Sequence, residues 1–375
     1  MEDVKKNFNP FSNVAELHIE VSDSCNLQCG YCYFVSKAKR TTPFPIQAFD
    51  HLMELFFRKT DSDVTLVFHG GEPLLADALW LSEACEVAKR HAKENGHDIC
   101  FHLQTNGTLL SDPQIEELVK NDFSVNVSLD GPKDIHNSIR GGYDATVKSI
   151  RRLNEAGILT GVIAVIGKHN FNRIHEVVNE LISLNVQRYH FNIGSILNGN
   201  NSLIMTENEI LTYLTASLHE FEISYTKACN WVLLGKLRRY LSGRIPAFAC
   251  DSPICGAAIH KMHLKKDGSF YPCGSCVSTR EADARFRIGN IANDFDPESF
   301  ENMLADFHHL YFQHRRECEE CRGKAVCDFI CPAFDEYDPL TLSNKCEAFR
   351  QFKDYLDTKE RRLLEQIVDY YGDYD

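Results

Sequence analysis

The sequence predicts an α/β protein in two parts, a partial TIM-like (β/α)6 barrel followed by a small, irregular, cysteine-rich domain. Three observations predict it. Six stretches of strand character alternate with stretches of helical spacing, which is the pattern of a parallel sheet with helices outside. From Cys250 onward cysteine, glycine and proline become frequent, and helical periodicity lapses until about Pro297. The 15 cysteines are grouped rather than scattered. The expected divisions are 1–235 for the barrel, with linker helices over about 201–245, then 246–350 for the cysteine-rich domain and 351–375 for a C-terminal helix and acidic tail.

The elements follow in order. Leu17-His18-Ile19-Glu20-Val21 alternates apolar and polar as a strand does, and Ile46 to Phe57 carries helical spacing. Val64 to Phe68 is the second strand, followed by a helix from about Ala76 to Ala92. Cys100 to Leu103, Ser124 to Val127, Thr160 to Val165 and Tyr189 to Ile193 supply the remaining strands. Helices are expected over Pro113 to Val119, Ala145 to Ala156 and Asn172 to Leu184. Right-handed crossovers curl such a sheet into most of a barrel, with its site in the loops at the C-terminal strand ends. Asn201 to Leu241 reads as a helical linker with Cys229 on its buried face, and Cys85 and Cys100 read as inert packing. Glu347 to Tyr371 is expected as one amphipathic helix with Phe349, Phe352, Leu356, Leu363, Ile367 and Tyr371 on one stripe.

Composition narrows the function. Hydrophobic content of 43% and charged content of 25% are those of an ordinary globular protein. The chain opens without an apolar signal segment and nowhere holds about eighteen consecutive apolar residues, so a cytoplasmic location and no membrane partner are expected. There, clustered cysteines hold metal more often than they form disulfides. A net charge of -13 argues against nucleic acid as a partner.

Cys25-Asn26-Leu27-Gln28-Cys29-Gly30-Tyr31-Cys32 places three thiols in the loop after the first strand. Three thiolates can hold three irons of a cubane cluster and leave the fourth open to an external ligand. A structural zinc knot, with His18 as fourth ligand, is the competing reading. The C-x3-C-x2-C spacing with Tyr31 resembles the signature of the radical S-adenosylmethionine (SAM) enzymes, in which the amine and carboxylate of SAM complete the open iron.

The loops after the next strands fit that resemblance. Gly70-Gly71-Glu72-Pro73 resembles the loop by which these enzymes hold the methionine ammonium group, although paired glycines also serve plain turns. Ser128-Leu129-Asp130-Gly131 resembles their Ser-x-Asp-Gly segment, whose serine contacts the ribose, with Arg140 as the downstream arginine for the SAM carboxylate. The resemblance adds Phe34, Asn106 and Leu197 as cofactor contacts. Asp130 and Glu72 suit cofactor or loop structure better than substrate deprotonation, and no general base is assigned.

A second array runs through Cys250, Cys255 and Cys273, then Cys318-x2-Cys321-x5-Cys327-x3-Cys331-Pro332, and ends at Cys346. A cysteine before proline ligates the other cluster in two-cluster ferredoxins, so Cys331 is expected to cross over. Two zinc ribbons would also allow these spacings. The array, with Gly268 five residues before Cys273, resembles the SPASM domain of peptide-modifying radical SAM enzymes. That resemblance implies one auxiliary [4Fe–4S] cluster on Cys250, Cys255, Cys273 and Cys331 and another on Cys318, Cys321, Cys327 and Cys346, three clusters in all. Cys276 fits neither set: it reads as an alternative ligand, a redox thiol or a bystander.

The chemistry implied is a 5'-deoxyadenosyl radical that takes hydrogen from a peptide, with a one-electron reductant such as flavodoxin or ferredoxin as a second partner. The expected reaction is the oxidation of a ribosomally made precursor peptide to an intrapeptide crosslink, either thioether or carbon–carbon. Anaerobic sulfatase-maturating enzymes, which make formylglycine, are the alternative. Their Tyr-Pro-Cys motif continues with an aspartate that serves as base, where this chain has Gly274. Peptide epimerisation is a further enzymatic alternative, and a multi-cluster electron-transfer protein or a zinc-stabilised peptide-binding module is the non-enzyme one.

Overall fold

A computed structural model describes residues 9, 11–32, 44–194, 203–224, 228–243, 255–277, 280–292, 298, 300–307, 309, 318, 320–327, 331, 333 and 339–372. Phe34, Leu197 and Cys250 lie outside the described residues. The six expected strands form as β1 (Glu16–Ser22), β2 (Val64–Gly70), β3 (Ile99–Thr105), β4 (Ser124–Ser128), β5 (Leu159–Ile166) and β6 (Arg188–Ile193). The helices between them are α1 (Ile46–Phe57), α2 (Ala78–Asn95), α3 (Asp112–Lys120), α4 (Lys133–Ile139), α5 (Tyr143–Glu155) and α6 (Ile174–Ser183). Helix ends follow local chemistry. Asp77 caps α2 by accepting from the Trp80 N–H at 2.8 Å, and Gly96, at φ +81°, stops it. Ser111 and Gln114 form a reciprocal capping box on α3.

All neighbours among β1–β6 are parallel and in sequence order. Their two faces differ sharply. Leu17, Ile19, Leu66, Phe68, Leu103 and Val125 are 2% exposed or less on the face that meets the helices, where Phe68 packs edge-on against Phe49 of α1 and Trp80 of α2. The opposite, inner face carries Glu16, His18, Glu20, His69, His102 and Gln104.

Four expectations are corrected. The stretch 201–241 is not purely helical: between α7 (Glu207–Ser224) and α8 (Trp231–Ser242) the pair Cys229–Asn230 forms β7, parallel to β6. Cys229 is buried in that strand, and Asn230 caps α8 through Leu233 N at 3.1 Å. Cys100 is exposed rather than packed, because it sits at the N-terminal end of β3 in register with Thr65, on the face turned away from the helices. The chain also forms a short helix α9 (Arg280–Phe286) inside the stretch where periodicity lapses. Finally, the C-terminal stripe is split between α10 (Pro339–Asp357) and α11 (Arg361–Tyr370). Phe349, Phe352, Leu356, Leu364, Ile367 and Tyr371 are buried across the break, so Leu364 rather than Leu363 is the core residue.

The cysteine-rich region continues the same sheet. β8 (Lys261–Leu264) pairs parallel with β1, and β9 (Ser269–Tyr271) and β10 (Gly289–Asn290) follow antiparallel. Gly268 turns β8 into β9 at φ +82°, and a Cβ there would lie 2.8 Å from Asn290 Oδ1. Among the described residues no helix is long and apolar enough to cross a membrane.

Candidate active site

The loops after β1, β2, β3 and β4 meet at the C-terminal ends of the strands. Cys25, Cys29 and Cys32 are half-buried in the first of them. Leu27 N–H and Asn106 Nδ2 point at Cys25 Sγ, at 3.4 and 3.7 Å. Arg140 Nη1 points at Cys29 Sγ, at 3.9 Å. Donors aimed at two of the three sulfurs suit thiolates, and so suit a set of sulfur ligands. His18 does not belong to this group: its Nε2 is engaged by Glu16 Oε1. Among the described residues, no three His, Cys, Asp or Glu side chains converge on a site for a single metal ion.

Gly70 and Gly71 let the second loop lie against the first. A Cβ at Gly71 would stand 2.1 Å from the Ser24 carbonyl oxygen, and one at Gly70 (φ +118°) 2.6 Å from the Ser22 carbonyl. The adjoining Glu72 is 1% exposed and its carboxylate is taken up by this chain. Oε1 accepts from Leu74 N at 2.9 Å and Thr105 Oγ1 at 2.6 Å, while Oε2 accepts from Asn106 N at 2.8 Å. Burial pushes its carboxyl up, and those three bonds pull it back. Glu72 thus staples the loop after β2 to the loop after β3, and Asn106, so fixed, presents its amide to Cys25.

Asp130 does for the loop after β4 what Glu72 does for the loop after β2. It is fully buried, with Oδ2 accepting from Arg140 Nε at 2.9 Å and from the Tyr31 hydroxyl, and Oδ1 from Val165 N at 3.0 Å. Arg140, at the C-terminal end of α4, lies over the Tyr31 ring with its guanidinium carbon 5.2 Å from the centroid. Burial opposes its charge, but the Asp130 carboxylate outweighs that and holds the guanidinium protonated. Ser128, half-buried, accepts from Gln104 Nε2 at 3.1 Å. The structure therefore brings Cys25, Cys29, Gly71, Glu72, Asn106 and Arg140 into one connected group and adds Tyr31 and Asp130 to it. His169, 3.8 Å from Asp130 Oδ2, carried no motif that could have announced it.

The inner face of the sheet below these loops is polar and half-buried, with Cys100 exposed at its outer end. Burial lowers His18 to about 4, His69 to about 3 and His190 to about 4, so these rings are neutral. Glu16 is brought down to about 2: burial works against this, but His18 and Lys261, whose Nζ is 2.7 Å away, overcome it.

In the second array, Cys273 and Cys276 lie with their sulfurs 3.7 Å apart on one turn. The bond from Cys276 brings Cys273 down to about 6, while burial pushes Cys276 up, reinforced by Cys273 and Cys331 beside it. Gly323, in the turn between Cys321 and Cys327, approaches α10 so closely that a Cβ would meet Arg350 N at 3.0 Å. This sets the turn beside the helix that carries Cys346, where Arg350 donates to Glu347 Oε2 at 3.1 Å.

Residues 19–181 match the Radical SAM superfamily. A cysteine-type anaerobic sulfatase-maturating enzyme of Clostridium perfringens is 26% identical over 363 residues, covering 89% of this chain and 94% of the relative. A serine-type anaerobic sulfatase-maturating enzyme of Bacteroides thetaiotaomicron is 24% identical, covering 96% and 94%. Among solved structures, native anSMEcpe with bound AdoMet superposes with a TM-score of 0.80 at 22% identity, over 95% of this chain and 99% of that one. Streptococcus suis SuiB bound to S-adenosylmethionine gives 0.61 at 17% identity, over 88% and 78%.

Proposed function

We propose that this chain, which carries a radical SAM domain over residues 19–181, is a peptide maturase that oxidises a cysteine or serine side chain of its substrate to formylglycine. The observation that carries this reading is the likeness along nearly the whole chain to both cysteine-type and serine-type sulfatase-maturating enzymes. It replaces crosslinking as the first choice. Crosslinking stays as the second reading, favoured by Gly274, which stands where the maturases' motif supplies a carboxylate.

In this reading Cys25, Cys29 and Cys32 hold a [4Fe–4S] cluster and the adjoining loops hold SAM. Together, when bound, these groups supply one-electron chemistry that removes a hydrogen atom from an unactivated carbon. The chain's own residues do the positioning. Leu27 N–H, Asn106 and Arg140 steady two of the sulfurs. Arg140, kept cationic by Asp130, offers its charge to the SAM carboxylate, and the close approach at Gly70 and Gly71 leaves backbone rather than side chain facing the ammonium group. Ser128 offers a hydroxyl to the ribose. The inner sheet face holds the peptide segment away from water, which guards a reactive step against stray hydrogen donors. The two auxiliary cysteine sets, Cys250, Cys255, Cys273 and Cys331 with Cys318, Cys321, Cys327 and Cys346, would hold Fe–S clusters whose redox chemistry takes the second electron, and a flavodoxin or ferredoxin would supply the first.

The test is an anaerobic reaction with SAM, a reductant and the Cp18Cys peptide that is seen with anSMEcpe. Formylglycine formation replaces the cysteine's sulfur by oxygen. Loss of two hydrogens with sulfur retained would give the crosslink instead, and an unchanged peptide would overturn both.

A further inference from the structure

His263 of β8 and Glu20 of β1 form a buried pair that nothing among the described residues satisfies. Their side chains are 1% and 4% exposed, with His263 Nε2 3.7 Å from Glu20 Oε2. That is too long for a hydrogen bond. Among the described residues, neither ring nitrogen of His263 nor Glu20 Oε2 has a hydrogen-bond partner, although each is buried. An unmet imidazole beside an unmet carboxylate costs folding free energy, so an occupant outside the chain is the economical explanation.

Its position says what the occupant does. β8 and β1 run in register with His263 opposite His18, on the inner face of the sheet. Glu20 lies against the loop after β2, since a Cβ on Gly70 would meet its Cγ at 3.2 Å. The ring lies against the turn that follows Cys273: a Cβ on Gly274 would stand 3.5 Å from His263 Nδ1, and Gly274 puts no side chain there. The pair thus sits between the loop assigned to SAM and a cysteine assigned to an auxiliary cluster.

We propose that His263, backed by Glu20, is the catalytic residue that hydrogen-bonds the target thiol or hydroxyl of the peptide and takes its proton. This rests on the oxidation proposed above. Turning an H–C–S–H or H–C–O–H unit into C=S or C=O breaks one C–H and one S–H or O–H bond and forms one π bond. One hydrogen atom leaves to the SAM-derived acceptor, one electron to an Fe–S cluster, and one proton to His263. Water then exchanges the sulfur of a thioaldehyde for oxygen, with release of hydrogen sulfide. The imidazolium formed faces the Glu20 carboxylate, which balances its charge.

The test uses the cluster-loaded enzyme with SAM, a reductant and the Cp18Cys peptide. His263→Ala is expected to keep 5'-deoxyadenosine formation within about twofold while oxidised peptide falls about 100-fold, the scale of a lost general base. Adding Gly274→Asp to that variant, which puts a carboxylate where the ring stood, is expected to restore at least about tenfold of the loss. Product at the wild-type rate from His263→Ala, or equal loss of product and 5'-deoxyadenosine, would overturn the proposal. Binding gives a readout independent of turnover. The wild type should prefer the Cys peptide over a counterpart with alanine in place of the cysteine by about fivefold, and His263→Ala should erase that preference. Preference retained in the variant would overturn the proposal too. If the wild type cleaves SAM but leaves the peptide unoxidised, the maturase reading fails, and the binding comparison still decides the role of His263.

Discussion

Replacing Gly71 by alanine puts one methyl group where two loops touch. The new Cβ would lie 2.1 Å from Ser24 O, 2.4 Å from Ser24 C and 3.1 Å from Cys25 N, and all three are backbone atoms that no rotamer change can move aside. Relief to the shortest tolerable contact needs a retreat of about 0.9 Å or more in a close-packed region. The same Ser24 carbonyl accepts from Glu72 N–H at 2.8 Å, so moving away also opens a buried hydrogen bond. Overpacking and that lost bond together cost about 3 kcal/mol. The displaced residue directly precedes Cys25, and a shift of about 1 Å at a reacting centre is worth about 100-fold in rate. Urea unfolding should therefore show a lowered midpoint, and anaerobic assays should show 5'-deoxyadenosine formation reduced about 100-fold with a matching loss of bound iron. Gly96→Ala is the control: it too has positive φ, at +81°, but meets nothing within 4 Å. It should cost about 1 kcal/mol and leave SAM cleavage intact. Gly71→Ala with wild-type iron content and wild-type cleavage would refute the reasoning.

Three other outcomes are expected. Cys29→Ala should abolish 5'-deoxyadenosine production, measured by chromatography of the quenched reaction, because it removes one of the three sulfurs proposed to hold the cluster. Glu72→Ala leaves the Leu74 and Asn106 amides and the Thr105 hydroxyl without their acceptor, so urea unfolding should report a loss of about 3 to 6 kcal/mol. Stability should also fall with acidification. Above pH about 6.5 His18, His69 and His190 are neutral in both states and contribute nothing; below it the unfolded chain binds protons that the fold refuses until about pH 4 for His18 and His190 and about pH 3 for His69. The slope is about 1.4 kcal/mol per pH unit for each ring, and a urea midpoint flat between pH 7 and 5 would contradict it.

Much of this was legible in the sequence because it is written locally. Strand alternation around Ile19 and Phe68, and the loops at Cys25, Gly70 and Ser128, all depend on neighbours in the chain, and each strand appears within a few residues of its expected place. What escaped is set by tertiary closure. Two residues, Cys229 and Asn230, carry too little periodicity to announce a strand; only the free edge of β6 makes them one. Alternation says only that two faces differ, so it assigned no partners to the polar positions His18, His69 and His102. Addition of β8 to the edge of β1 placed His263 beside Glu20, although the two are distant in sequence and carry no motif. Cys100 erred the other way, as an apolar residue at the wet end of the same face.

The pairing of β1 with β8 has a consequence for biosynthesis. Glu16 aligns with Lys261, roughly 245 residues later, so at about 5–20 residues per second the ribosome needs some ten to fifty seconds to deliver the partner. Until then β1 shows an open row of amide and carbonyl groups on one side. The edge of β1 that β8 covers is thus the last side of that strand to be paired, long after β2 has taken the other side.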